Sequence, residues 1–63
     1  MMNISKEKIN ILLAETGLTQ TELAARAQIS RTGLSGIIAK GMCRPVTAGK
    51  IASAFGVSVK EIS

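Results

Sequence analysis

The sequence predicts an all-α fold, five short helices around one small core. Three observations carry that prediction. Apolar residues recur at helical spacing through most of the chain, and no strand-like alternation is visible. Thr19, Ser30, Thr47 and Ser58 each follow an apolar residue and precede another by four positions. That is the arrangement of an N-cap hydroxyl inside a hydrophobic staple. Gly17, Gly41 and Gly56 stand where helices would have to stop, and glycine tolerates the left-handed conformation that stops them.

The first helix is expected after Ser5, running to about Thr16. Glu7 lies in its first turn, where the helix dipole favours a negative charge. Ile9, Leu12 and Leu13 form its inner stripe. Ile11 falls off that stripe, partly exposed or packed on a partner. The second helix is expected over Gln20–Ala27, and Thr19 with Glu22 forms a capping box. The third covers about 31–39, with Ser30 as its N-cap. Leu23, Ala27, Leu34 and Ile37 face inward across a tight turn, and small Ala24 lies where the two helices cross. Arg31, Thr32, Gly33, Ser35 and Gly36 point outward.

Residues 40–46 read as a loop, because Pro45 forbids a continuing helix. The fourth helix follows Thr47 with Ile51, Ala52 and Phe55 inward, and Gly56 ends it. A short fifth helix starts at Val59, with Ser58 and Glu61 as a second capping box. Leu23, Leu34, Ile37, Ile51 and Phe55 are the expected core.

With 63 residues, one domain over 1–63 is expected. A domain this small buries only about 60% of the surface its unfolded chain exposes. The single cysteine, Cys43, permits no internal disulfide and reads as an incidental loop thiol beside Arg44. Stability must come from aliphatic packing. Phe55 is the sole aromatic residue, which argues against platforms that stack single-stranded bases. Eight Lys/Arg against four Glu give a net charge of +4, a balance that suits a polyanion.

There is no His and no Asp. A Ser-His-Asp triad, a His-ligated metal and a Cys-His pair are therefore excluded within the chain. The four glutamates, at 7, 15, 22 and 61, all sit where a helix surface or cap would use them. A non-enzymatic protein without cofactor or metal is expected. No run of 18 apolar residues exists, and the N-terminal segment is too charged for a signal peptide. A cytoplasmic location with a reduced thiol follows as an expectation.

Residues 18–37, LTQTELAARAQISRTGLSGI, carry the functional signal. Counted from Gln20, Leu23 is fourth, Ala24 fifth, Ala27 eighth, Ile29 tenth, Leu34 fifteenth and Ile37 eighteenth. This is the spacing of a helix-turn-helix. The chain resembles the phage repressor and Cro-type (XRE-type, lambda-repressor-like) helix-turn-helix domains across residues 5–62. GLTQTELAARAQIS at 17–30, the proline at 45 and KIASAFGVSVKEI at 50–62 carry the resemblance.

The resemblance implies a sequence-specific regulator of transcription that binds double-stranded DNA, with its third helix in the major groove. Gln20 matches a position that contacts a phosphate and braces the recognition helix, and Thr19 matches another phosphate contact. Arg31, Thr32 and Gly36 match positions that read base edges, with Ser35 beside them and Ser30 at the helix start. Lys40, Gly41 and Arg44 match the loop along the sugar-phosphate backbone. The implied partner is a palindromic operator, bound by a weak homodimer that pairs through residues 41–46 and Val57, Val59 and Ile62.

Three departures stand against the pattern. Gln28 occupies the turn where glycine is usual, at a cost of roughly 1 kcal/mol. Gly33 and Gly36 weaken the recognition helix, each by about 0.8–1 kcal/mol relative to Ala. The 63 residues contain no C-terminal oligomerisation domain, which fits a complete Cro-like protein or an excised domain equally. The alternative to DNA reading is a protein-interaction module of the same fold, antitoxin-like or anti-repressor-like, with weak DNA binding.

Overall fold

Residues 1–63 are described by a computed structural model. Four α-helices and one 3₁₀ turn follow each other in chain order, with one short β pairing. Helix α1 covers Lys6–Thr16, α2 Gln20–Ala27, α3 Arg31–Lys40 and α4 Pro45–Phe55, and the 3₁₀ turn covers Val59–Glu61.

The helix starts follow from their caps. The Ser5 hydroxyl accepts from the Lys8 amide at 3.1 Å and opens α1. Thr19 and Glu22 form a reciprocal capping box at α2, with both bonds between 3.0 and 3.1 Å. The Ser30 hydroxyl accepts from the Gly33 amide at 2.9 Å and opens α3. The stops follow from left-handed residues: Gly17, Gly41 and Gly56 at φ 71–75°, and Gln28 at φ 60°. Gln28 closes α2 as a Schellman motif. Its amide donates to Ala25 and that of Ile29 to Ala24. Those two bonds offset part of the cost of a non-glycine residue there.

The core holds twelve buried residues and no buried polar or charged side chain. Helix α2 contributes Leu23, Ala24 and Ala27, and α4 contributes Ala48, Ile51 and Ala52. The alanines let α2 and α4 lie close, and α3 packs on α2 through Leu34 and Ile38. Leu23, Leu34 and Ile51 are fully buried, as the sequence predicts.

Other expectations need correction. Ile37 and Phe55 are only half-buried, while Ile38 joins Leu34 on the inner face of α3, one turn away. The fourth helix begins at Pro45, not after Thr47. Proline opens a helix readily, because the amide it lacks would have no partner in the first turn. Arg44 becomes the N-cap through its carbonyl alone, and Thr47 lies inside the helix. The expected fifth helix is a single 3₁₀ turn, and Ser58 makes no side-chain cap bond.

The sequence also hid a strand pairing. Strand β1, Met2–Asn3, runs antiparallel to β2, Met42–Cys43, with Met2 opposite Cys43. The Ile4 amide continues the pairing to the Gly41 carbonyl at 2.9 Å, and the Ser5 amide reaches the Ile62 carbonyl at 2.6 Å. The N-terminal segment therefore ties the end of α3 to the end of the chain. Ile4, Cys43 and Ile62 become core residues as a result. Cys43 is thus a buried thiol, and desolvation pushes its pKa above the usual thiol value despite the nearby N-terminal ammonium.

Candidate nucleic-acid interface

Helix α3 presents one continuous exposed strip. Thr32, Gly36 and Lys40 recur every four residues, which places them on one face. All three are exposed. A groove of about 470 Å³ runs along this strip, with β2 and the start of α4 as its opposite wall. Thr32, Gly36 and Lys40 line one side, and Met42, Arg44 and Thr47 line the other. Four of the nine predicted site residues, Thr32, Gly36, Lys40 and Arg44, thus share one concavity.

Two cations sit at the end of this groove nearest the α3 C-terminus. Lys40 is the last residue of α3, where the helix dipole favours positive charge. Arg44 is at the N-cap of α4, where the dipole opposes positive charge and leaves it unneutralised. A bound anion would be attracted by both the guanidinium and the unpaired amides of the α4 first turn.

The remaining predicted residues lie outside the groove. Arg31, at the first position of α3, donates from Nη1 to the Ser35 Oγ at 2.6 Å. The guanidinium is therefore laid along the helix surface, above a half-buried Ser35. Thr19 and Ser30 are exposed, and each hydroxyl oxygen is occupied as acceptor by a cap bond. A hydroxyl carries one proton besides, so Ser30 can still donate to an anion, whereas the Thr19 proton is engaged by the Glu22 carboxylate. Gln20 is half-buried at the first position of α2.

The α2 start is electrostatically fixed. The Thr19 amide and hydroxyl bond the Glu22 carboxylate and lower its pKa, and the Arg26 charge adds to this. Glu22 is thus committed to its cap.

Sequence reasoning missed Thr47 and the Met1 and Met42 side of the groove. Pro45 was the available signal for Thr47. Read as a helix opener, it moves the start of α4 three residues toward the N-terminus and turns Thr47 from cap to groove wall. Nothing in a two-residue strand announces Met1, which reaches the groove through the β1–β2 pairing.

No helix is long and apolar enough to cross a membrane. No group of three or more His, Cys, Asp and Glu residues is arranged to hold a metal ion. A family model described as Helix-turn-helix matches residues 9–62. No curated protein and no solved structure matches the chain.

Proposed function

Because the chain belongs to the XRE-type helix-turn-helix family of DNA-binding transcription regulators, we propose that it is a repressor- or Cro-like protein whose α3 reads the major groove. One observation carries this reading: Thr32, Gly36 and Lys40 form an exposed strip on α3 that continues into Arg44. An α-helix of this size fits the major groove of B-form DNA, and cations at its margin suit the phosphates.

The roles divide by chemistry. Arg31 and Thr32 supply the base-reading groups at the helix start, with Ser35 orienting Arg31 through the 2.6 Å bond. Arginine paired to guanine O6 and N7 is the commonest specific contact. Lys40 and Arg44 hold the backbone on one side. Gln20 and Ser30 hold it on the other, through amide and hydroxyl donors and the first amides of α3 and of α2, whose start Thr19 fixes.

The competing reading is a protein-interaction module with weak DNA binding. Its support is the side-chain-free stretch at Gly33 and Gly36, together with exposed Val46 and Met42. Titration of generic and selected duplexes at two salt concentrations separates the readings. DNA reading requires salt-dependent binding and a clear preference for the selected duplex. Arg31→Ala should then cost about 1–3 kcal/mol on the best site and relax preference at one base pair. Equal losses on selected and random DNA would demote Arg31 to a phosphate contact.

A further inference from the structure

We infer that the α3 surface at Gly36 is a seat for the 5-methyl group of thymine, so that specificity here comes from an apolar recess as well as from hydrogen bonds. The inference rests on α3 reading the major groove.

Gly36 is unexplained by the fold. It lies in the interior of α3 with no positive φ, and a Cβ built there meets nothing within 4 Å. Glycine weakens a helix interior relative to alanine, and here no internal contact requires it. Gly33 differs, because a Cβ there would lie 2.9 Å from the Ser30 cap oxygen. The space above Gly36 is open to whatever approaches from outside.

The surroundings define what fits. Ile37 is half-buried beside Gly36, and Met42 stands 41% exposed across the groove. Toward the helix start, Arg31 is drawn to Ser35 and Thr32 is the next polar side chain. Toward the helix end the next is Lys40. Between Thr32 and Lys40 the groove face of α3 therefore carries no side-chain donor or acceptor. A base edge offering only donors and acceptors would lose water there and gain no partner. Thymine is the base that presents a methyl group in the major groove. Without a Cβ at 36, the helix backbone can approach that methyl to van der Waals contact.

The test begins with duplexes selected from a random library. Each thymine of the selected site is replaced in turn by uracil, which removes the 5-methyl group and leaves base pairing intact. Binding should weaken about fourfold at one or two positions per half-site, the value of one buried methyl or methylene. Gly36→Ala fills the recess and should erase that difference, weakening the thymine site while sparing the uracil one. A thermal melt confirms that the variant is folded. Selected binding with no uracil-sensitive position overturns the inference and leaves DNA reading intact. So does a uracil effect unchanged in Gly36→Ala. If no duplex is preferred over random DNA, the reading of α3 falls and the inference falls with it.

Discussion

Single residues set the local conditions, and Glu22 is the most testable. Its carboxylate accepts the Thr19 amide at 3.0 Å, and that contact, with the Thr19 hydroxyl and Arg26, holds its pKa below the ordinary value. A depressed folded-state pKa contributes stability that is present above the unfolded-state value, about pH 4.3. That contribution is lost as pH falls through the folded-state value. Wild type should therefore melt higher than Glu22→Gln at pH 7, and the gap should narrow steadily below about pH 4.3. A gap independent of pH would show that the charge of Glu22 adds nothing to the cap. Glu22 and Thr19 were legible because a capping box is a local device, three residues apart. Gln28 was legible through the resemblance, which marks that turn position as the left-handed one, and its φ is 60°. Cys43 was not legible. Its burial depends on β1, about forty residues earlier in the chain, and no local pattern encodes that pairing.

At the level of elements, α1 and α2 matched expectation most closely, since periodicity and caps agreed there. The misplaced start of α4 came from reading Pro45 as a breaker when it is equally an opener. That shift matters for the site, since it makes Arg44 the N-cap and aims it into the groove. Arg44→Ala should weaken binding to all duplexes alike and lessen the log–log salt slope by about 1. Its N-cap role uses only the backbone carbonyl, so the melting temperature should barely move. An unchanged salt slope in a titration series would remove Arg44 from the phosphate-contacting set. Leu34 tests the junction of α3 with the core. It is fully buried, and Leu34→Ala should cost about 2–5 kcal/mol. A small single core rarely supplies more than about 3–5 kcal/mol, so the variant should be largely unfolded at room temperature. Circular dichroism during a thermal melt measures this, and a transition near wild type would contradict the packing of α3 on α2.

At the scale of the whole molecule, the question is how so small a surface marks a unique DNA sequence. One recognition helix covers only a few base pairs, and two-fold pairing on a palindrome doubles the site. The surface limits how strongly that pairing can occur without DNA. A stable interface takes about 800 Å² from each partner, roughly a fifth of the 3843 Å² that this chain exposes. The C-terminal turn supplies little of it, because Ile62 is fully buried and Val57 and Val59 pack against the core. What remains near the groove is Met1, 75% exposed, Val46, 72% exposed, and Met42, 41% exposed. Three side chains of that size cannot form the apolar centre of a tight dimer. The net charge of +4 opposes self-association as well, and DNA phosphates would relieve that repulsion on binding. The expected behaviour is a monomer, or a weak dimer, in free solution, and two chains per palindromic duplex with half-sites about 34–36 Å apart. Light scattering on the protein alone and with such a duplex measures both states. A tight dimer without DNA would mean that a larger surface pairs than Met1, Val46 and Met42 provide. One chain bound per full palindrome would mean that this domain reads its site without two-fold pairing.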